Sequence, residues 1–546
     1  MPSPETNPFL TADADRHAIW DMLVRRDIDA FTRRDWDMVA DDFVAAGFLG
    51  IDAGRSPNPD SWRLAYTLDD YRAAWLEEAA AAKPCRPDLR TALFAATVLR
   101  DIDLAGDVAL AHKKFDGVVR PIDAMPEILN WQTLYHCRRL CGRWKITGFT
   151  GYMPPSDRGL AAALTGATMR FDLVLAKGRV IDPSQGLDRV TDVAFADGLV
   201  AEVGDDIDPR GAAVRDLSGR IVTPGLIDLH THVYWGGTSL GIDAEDFARR
   251  SAVTTCVDAG SAGPGNFAGF RKHVIEPSRI RILPFLHVSF AGIYGFSTKV
   301  MVGEGHDIRL LAARDCVEVV ERNRDLIVGI KVRLGRTASG TAGIVPLDVA
   351  EQVADETGLP MMVHIDEPPP SYEAVVDRLR PGDILTHCFR PFPNAPVDGR
   401  GAVKPALLAA RRRGVLFDVG HGMGSFSWKV ARAMLAEDFL PDTISSDVHA
   451  LCIDGPAYDQ VTTLSKFLAL GVPLPAVIAA STANAAKALG RPDLGSLKPG
   501  SIGDASILSL DAGAFPLEDV RGEVVTARER LFARGVVVGG RWWHPA

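Results

Sequence analysis

Three patterns of apolar and polar positions follow one another along the chain. Apolar residues recur at helical spacing over residues 13–43 and 68–82. Strand-like runs come next, and the first of them covers residues 91–106. Helices followed by meandering strands predict a compact α+β domain over residues 1–155. A stretch rich in Pro, Gly and small residues then predicts a linker over residues 156–168.

The second pattern consists of short strands at both flanks of the remaining chain, residues 169–225 and 494–546. Asp197-Gly198 is a dipeptide that suits a two-residue hairpin turn. We expect the two flanks to pair into one small β-sandwich.

The third pattern, over residues 226–493, alternates eight apolar strand-like runs with helical stretches. Repeated βα units of this number predict an α/β fold, a (β/α)8 TIM barrel. In such barrels the chemistry lies at the carboxyl ends of the strands. The last predicted strand is the run TISSDVH, residues 443–449.

Polar side chains end five of these predicted strands. They are His230 and His232, Lys331, His364, His387 and Asp447. Imidazole and carboxylate are usual ligands of zinc and similar ions, and one catalytic zinc needs only three protein ligands. The chain offers more such ligands than one zinc needs, which predicts two ions. A buried lysine loses its proton readily, and a neutral amine can add carbon dioxide to form a carbamate that bridges them. A single strand-end histidine is more often structural, but six fitting groups favour a metal site.

Composition narrows the class of protein. The 546 residues predict two or three domains. The net charge of -10 gives no reason to expect a nucleic-acid partner. The first residues resemble no signal peptide, and no run of about 18 apolar residues predicts a membrane span. Seven scattered cysteines are typical of reduced thiols, so a cytoplasmic location is expected.

The strand-end motifs resemble the amidohydrolase superfamily of the binuclear-metal type. The resemblance covers residues 169–546 and includes PGLIDLHTH, TANAAKALG and GSLKPGSIGDA. A narrower match, through DAGSAG, HVSFAGIYG, GIKVR, DVGHGMGSF and ISSDVHA, resembles the amidohydrolase/deacetylase (dihydroorotase-like) subgroup. The N-terminal domain, with RDWDMVADDF and GRWKITGFTGY, resembles the NTF2-like (SnoaL-like) family, an α+β cone. In it, His112, Trp131 and Tyr135 are expected to be core or lining residues without a catalytic role.

The resemblance implies two divalent metal ions, Zn²⁺ by preference, and carbon dioxide that carboxylates Lys331. It implies that His230, His232 and Asp447 hold one ion and that the histidines of strands five and six hold the other. A hydroxide that bridges the ions would then attack the acyl carbon, and Asp447 would carry its proton to the leaving group. The implied reaction is hydrolysis of an ester or amide bond, an acetyl bond by preference, of a small carboxylate.

Four side chains are candidates for binding a small-molecule substrate. They are Arg333, His421, Ser425 and Tyr294. Arg333 follows Lys331 by two residues and can clamp a carboxylate, or it can brace the barrel rim. Glycines around His421 and Ser425 let a backbone approach a ligand closely, although a plain flexible loop accounts for them equally well.

Other functions stay open at this stage. Cyclic-amide hydrolysis, as in dihydroorotases and hydantoinases, is the second reading, and purine deamination is the third. Lys331 and the lack of a clear HxE stretch after strand five argue against a deaminase. A scaffold with a degenerate barrel is the non-enzyme alternative, but such scaffolds lose ligands that this chain retains. A homo-oligomer is an open alternative to a monomer.

Overall fold

The computed structural model describes residues 7–9, 11, 13–54, 62–65, 67–85, 88–119, 121–122, 127–153, 171–209 and 211–543. The chain divides into two compact units, Met1–Met169 and Arg170–Ala546. The predicted linker over residues 156–168 lies outside the described residues.

Among its described residues, the first unit contains four α-helices and six strands. The helices are α1 (Ala14–Trp20), α2 (Asp27–Arg33), α3 (Leu68–Ala81) and α4 (Leu89–Ala96), with a π-helical turn, Asp21–Arg26, and two short 3-10 turns, Trp36–Met38 and Ala40–Asp42. The strands are β1 (Leu49–Asp52), β2 (Arg63–Ala65), β3 (Thr97–Ala105), β4 (Val108–Val119), β5 (Glu127–Leu140) and β6 (Arg143–Met153). They form one sheet in the order β2-β1-β6-β5-β4-β3.

Two predictions for this unit need correction. The first helical stretch ends at α2 and does not reach residue 43, because Arg34 adopts a left-handed conformation with φ 58° that ends a helix. Residues 91–106 were expected to form one strand, but their first part lies in α4. Asp88 caps that helix by accepting a hydrogen bond from the Thr91 amide. The match to an NTF2-like cone stays a prediction.

The second unit contains fifteen strands and ten α-helices among its described residues. The strands are β7 (Leu173–Asp182), β8 (Leu187–Ala196), β9 (Leu199–Gly204), β10 (Ala213–Asp216), β11 (Ile221–Pro224), β12 (Leu226–Thr231), β13 (Val253–Ala259), β14 (Arg281–His287), β15 (Gly329–Leu334), β16 (Met361–Ile365), β17 (Ile384–Leu385), β18 (Leu416–Phe417), β19 (Ala505–Glu518), β20 (Val524–Val538) and β21 (Arg541–Trp543). The helices are α5 (Ala244–Ser251), α6 (Phe267–Phe270), α7 (Ala313–Arg322), α8 (Val345–Thr357), α9 (Tyr372–Val376), α10 (Pro405–Arg413), α11 (Trp428–Ala436), α12 (Gln460–Ala469), α13 (Leu474–Ala480) and α14 (Ala483–Ala488).

Strands from the two flanks of this unit pair with each other. β11 pairs antiparallel with β19, and the sheet runs β21-β20-β19-β11-β7-β8-β9, with β10 beside β7. The predicted hairpin turn joins β8 to β9, and Asp197 and Gly198 both have positive φ, as a type I′ turn requires. The described strands therefore form one continuous hydrogen-bonded sheet, and its arrangement as a sandwich stays a prediction. Its strands from both flanks share one apolar core.

The middle of the unit forms a parallel sheet of seven strands in sequence order, β12 to β18. The helices α5 to α12 follow or separate these strands along the chain. Residues of β12, β13 and β15 are buried throughout, which explains why each is a nearly continuous apolar run.

The predicted eighth strand, residues 443–449, is not a regular strand, but it closes the ring. The Asp447 amide donates to the His230 carbonyl at 2.7 Å on one side. On the other side the His421 amide donates to the Ser445 carbonyl at 3.2 Å. Asp447 has φ 47°, which is incompatible with extended backbone, so the pairing breaks into isolated bridges.

Candidate metal centre

The polar side chains predicted at the strand ends meet at one end of the barrel. His230 and Lys331 lie within β12 and β15, His364 lies within β16, and His232 directly follows β12. These four and Asp447 line a cavity of about 250 Å³. His387, which follows β17, lies behind this surface, and its ring centroid is 4.4 Å from that of His364.

Three of these groups form a compact set of ligand atoms. The Nε2 atoms of His230 and His232 each lie 3.3 Å from Oδ1 of Asp447. The ligand atoms of all three residues lie within 4.8 Å of one another. Lys331 Nζ is 3.5 Å from Nε2 of His230. Two imidazoles and a carboxylate at this spacing fit one divalent cation, and the lysine lies beside it.

His364 and His387 form a second pair of nitrogen donors. Their rings are nearly perpendicular, at 85°. The Nε2 atoms of both are buried and have no hydrogen-bond partner among the described residues. A buried polar nitrogen without a partner costs free energy. Such a pair of unsatisfied nitrogens fits a second cation.

Hydrogen bonds behind the rings assign the tautomers of two histidines. His387 Nδ1 lies 2.7 Å from the Gly420 carbonyl, which only accepts, so Nδ1 carries the proton. His230 Nδ1 lies 2.8 Å from Thr386 Oγ1, whose own proton goes to Asp418 Oδ2 at 2.8 Å. His230 Nδ1 is therefore also the protonated nitrogen. Both rings then present the Nε2 lone pair to the site, as metal ligands do.

Burial sets the charge state of the central groups. It lowers the pKa of Lys331 to about 7. It raises the pKa of Asp447 to about 6. A lysine that is partly neutral at physiological pH has the free amine that carbamate formation needs. The chemistry of this donor set therefore fits a bridged pair of cations.

Two glycines of the loop after β18 make the close packing feasible. A Cβ atom on Gly420 would collide with Thr386 Oγ1 and crowd the Nδ1 atoms of the histidines in front of it. A Cβ on Gly422 would collide with Asp447 Oδ2. Both glycines also have positive φ. The glycine-rich loop thus brings backbone close behind the site.

Arg333 was predicted to clamp a substrate carboxylate, but its charge is already paired. Its Nη1 lies 3.2 and 3.1 Å from the two carboxylate oxygens of Glu304. His287 Nδ1 accepts from the Ser289 amide, so its Nε2 carries the proton and faces Glu304 at 3.3 Å. Burial alone would raise the pKa of Glu304, but Arg333 and His287 outweigh it and lower that pKa to about 2.

Sequence reasoning missed both partners of Arg333. His287 ends a predicted strand, β14, in the same way as the metal-site histidines, so the strand-end rule could have found it. Glu304 lies outside any helix or strand, and no sequence pattern marks it.

A second arginine in the cavity, Arg390, also escaped sequence reasoning. It is only 7% exposed and lines the cavity. One nitrogen donates to the Ile365 carbonyl, while Nε is buried without a partner. No acidic side chain within the described residues forms an ion pair with it, and burial lowers its pKa. The structure therefore places beside the metal centre a guanidinium that has no direct ion pair, although the carboxylates of Asp366 and Glu367 act on it from a longer distance.

The other predicted substrate contacts separate into two groups. Ser425 lines the cavity. Tyr294 is 63% exposed and does not line it. His421 is fully buried away from it, where its Nε2 lies 2.7 Å from Lys466 Nζ and its ring stacks on Phe426. The predictions for Tyr294 and His421 are corrected on these grounds, because neither side chain reaches the cavity.

Comparison with known proteins gives two sets of relatives. No protein-family model matches the chain. A deacetylase of Agrobacterium fabrum is 34% identical over 351 residues, which cover 64% of this chain and 86% of that protein. A deacetylase of Brucella anthropi is 34% identical over 354 residues, covering 64% and 87%. A dihydroorotase of Citrifermentans bemidjiense is 46% identical over 84 residues, covering 15% and 20%.

Two solved structures share the fold. A crystal structure of a dihydroorotase is 33% identical, with a TM-score of 0.63, and covers 68% of this chain and 98% of its own. A crystal structure of an adenine deaminase is 28% identical, with a TM-score of 0.63, and covers 68% and 100%. Separately, the described helices include none that is both long enough and apolar enough to cross a bilayer.

Proposed function

The chain belongs to the amidohydrolase superfamily and is a metal-dependent hydrolase, and we propose that it removes an acetyl group from an ester or amide of a small carboxylate. The observation that carries this proposal is the strand-end cluster of four histidines, Lys331 and Asp447 around one cavity. Relatives named deacetylases, similar over most of their length, support the acetyl group.

Two divalent ions, Zn²⁺ by preference, would be held by the six strand-end residues. His230, His232 and Asp447 would hold one, the two histidines with unsatisfied Nε2 atoms would hold the other, and carbamylated Lys331 would lie between them. When bound, such ions lower the pKa of water and polarise the scissile carbonyl. Imidazole and carboxylate donors suit zinc.

Asp447 is the group we assign to proton transfer. Its carboxylate is buried at the cavity, beside the rings of His230 and His232. It takes a proton from the attacking water and delivers it to the leaving oxygen or nitrogen. Burial raises its pKa to about 6, which is close to the operating pH and suits a group that must both accept and release a proton.

Arg390 is the group we assign to the substrate carboxylate. Arg333 is neutralised by Glu304, whereas Arg390 forms no direct ion pair with an acid among the described residues. A buried cation gains most from an anion that arrives with the ligand, since the pair forms out of water. Arg390 therefore selects substrates with a carboxylate near the acyl group.

The test is an activity screen on protein expressed with zinc and bicarbonate. N-acetyl and O-acetyl derivatives of amino and hydroxy acids are each assayed as the carboxylate and as the carboxamide. We expect kcat/KM for the carboxylates to be at least about 30-fold above that for the carboxamides. A carboxamide leaves the buried Arg390 charge unpaired, which costs about 2 kcal/mol or more. Absence of acetyl release from every compound would refute the deacetylase proposal.

Arg390→Gln tests whether Arg390 binds the substrate carboxylate without taking part in the hydrolysis itself. We expect it to lower kcat/KM for the carboxylate by about 30-fold or more and to leave the carboxamide nearly unchanged. Arg412→Gln, on an exposed residue, is the matched control and should change neither. An equal loss for both substrates would remove Arg390 from the anchoring role while leaving the deacetylase proposal intact.

Cyclic-amide hydrolysis is the second candidate, because the chain is 33% identical to a protein solved as a dihydroorotase. Ring opening of dihydroorotate or a hydantoin, with no release of acetate from the acetyl series, would favour it. Release of ammonia from adenine would instead favour deamination. This activity is tested because one similar solved structure is that of an adenine deaminase.

A further inference from the structure

A second cavity, in the first unit, plays no part in the proposed hydrolysis. Its volume is about 630 Å³, within the range of about 300–1,000 Å³ typical of small-molecule sites. Helices α2, α3 and α4 and strands β4, β5 and β6 all contribute to its wall. The aromatic rings of Phe31, Trp75, Phe115, Trp131 and Phe149 are among its lining residues. Stacked rings line part of the wall, with Phe115 and Trp131 4.7 Å apart.

An ion pair lies within this apolar wall. Lys113 is fully buried, and its Nζ donates to Asp27 Oδ2 at 2.6 Å and to the Leu23 carbonyl at 2.7 Å. The Lys113 side chain is only 1% exposed, whereas the Asp27 side chain is 29% exposed. Both residues line the cavity. The carboxylate is therefore the member of the pair that a ligand can reach.

Asp27 has acceptor capacity left over. Lys113 occupies Oδ2, and no described residue donates a hydrogen bond to Oδ1. The second acid of the wall, Glu78, already accepts from the Tyr152 hydroxyl at 2.5 Å. Of these two carboxylates, Asp27 therefore offers a free oxygen, and its charge is offset by the ammonium beside it. Tyr71 and Tyr135, each with a hydroxyl group, also line the cavity. An anion would be repelled by that oxygen, and a cation would meet Lys113 at short range.

We propose that the first unit binds a neutral aromatic molecule that carries one hydroxyl group, which donates its proton to Oδ1 of Asp27. The rings of the wall stack on the ligand and provide most of the affinity, since buried aromatic area dominates such sites. The single hydroxyl fixes its orientation, because a hydrogen bond to a charged acceptor is stronger than one to a neutral acceptor.

The experiment is calorimetric titration of the full chain with three matched probes. They are 2-naphthol, 2-methoxynaphthalene, which lacks the donor, and 2-naphthoate, which is an anion. We expect 2-naphthol to bind one site per chain and the other two to bind at least about tenfold more weakly. Equal binding of the methoxy compound would refute the role of Asp27, and tighter binding of naphthoate would refute the preference for a neutral ligand.

A substitution that fills the cavity with a larger side chain tests whether the probe binds there. Ala81 is at the end of α3 and lines the cavity, whereas its exposed neighbour Ala80 does not. Ala81→Trp should weaken 2-naphthol binding at least about tenfold, while Ala80→Trp should leave it unchanged. Ala82→Phe, at a second lining position, gives an independent reading if Ala81→Trp fails to fold. Unchanged 2-naphthol affinity in folded Ala81→Trp and Ala82→Phe, or no binding to the parent chain, would overturn the proposal.

Discussion

Of the barrel cavity and the aromatic cavity of the first unit, the larger one has the less reactive lining. The cavity of the first unit is about 630 Å³, and its wall consists of aromatic rings and one ion pair, Lys113 with Asp27. The barrel cavity is about 250 Å³ and is lined by imidazoles, a lysine, two arginines and two acids. Nε2 of His364 and Nε of Arg390 have no hydrogen-bond partner among the described residues. The smaller cavity therefore carries the reactive chemistry. Volume measures how much ligand fits, whereas unsatisfied donors and acceptors show where a reaction can be promoted.

The origin of the wall side chains explains the difference. In the barrel, the six reactive groups come from the ends of four strands and from the segment of residues 443–449, so backbone hydrogen bonds fix their spacing. In the first unit, the wall consists of side chains from helices and one sheet that pack around open space. The first arrangement suits a fixed array of ligands, and the second suits a molecule bound mainly by shape.

The largest effect should come from Asp447→Asn. The amide cannot take up the proton, so we expect kcat for the best acetyl substrate to fall about 10²–10⁴-fold. Binding of 2-naphthol should not change in this variant. That result would show that the two cavities act independently. Asp438→Asn is the matched control, because Asp438 is exposed and its left-handed backbone tolerates asparagine. Unchanged kcat in Asp447→Asn would remove this residue from proton transfer.

Lys331→Met should alter metal content. Without the amine no carbamate can form, so we expect the ions bound per chain to fall from two to one or none. Plasma mass spectrometry on protein expressed with zinc and bicarbonate measures this directly. Lys429→Met, on an exposed lysine, should keep two ions. Two tightly held ions in the Lys331 variant would show that this lysine is no bridge.

Glu304→Gln should destabilise the barrel unit in a pH-dependent way. It leaves Arg333 buried without its partner, which costs roughly 3–5 kcal/mol. The pKa of Glu304 is about 2 in the folded chain against an ordinary 4.5. The stabilisation is thus complete above about pH 4.5 and is lost as the pH falls toward 2.

Thermal midpoints at several pH values test this. The difference in thermal midpoint between the parent and Glu304→Gln should be largest near pH 7 and should become smaller below about pH 4.5. Glu367→Gln removes an exposed pair with Arg336, 3.9 Å apart, and should lower the free energy of unfolding by about 1 kcal/mol or less. A gap that is independent of pH would contradict the assignment of an ionised Glu304.

The smallest effect should come from Thr386→Val. It removes the hydrogen bond that orients His230, and the loss of such a supporting contact lowers metal affinity roughly tenfold. Competition with a chelator measures the affinity, and Thr526→Val on the exposed side of β20 is the control. No change in affinity would mean that the backbone alone orients the ring.

Strand alternation was a good guide to placement in the barrel. Two side chains separated by one residue share a face, so His230 and His232 were expected together, and both contact Asp447. The eighth strand could not be predicted correctly, because the left-handed backbone of Asp447 follows from its site and not from a local pattern. The helix α4 was missed because its cap, Asp88, lies before the run that resembled a strand.

Pairing between distant residues was the part that sequence reasoning could not reach. Arg333 has the position of a substrate clamp, but Glu304 packs against it from a segment without regular structure. Arg390 has no distinctive position in the sequence, and the role proposed for it rests on its place in the cavity and on the lack of a direct ion pair among the described residues. His421 was assigned to the cavity because its loop is rich in glycine, yet the ring packs against Phe426.

The ring of strands closes where the segment of residues 443–449 meets β12, and Asp447 lies in that seam. The ribosome makes His230 long before it makes Asp447. A growing chain therefore holds only separate halves of the metal centre until the final barrel segment has emerged. If Asp447 has the proposed role, hydrolytic activity should begin only once this last segment has docked, so we expect a chain truncated before the seam to be inactive and not weakly active.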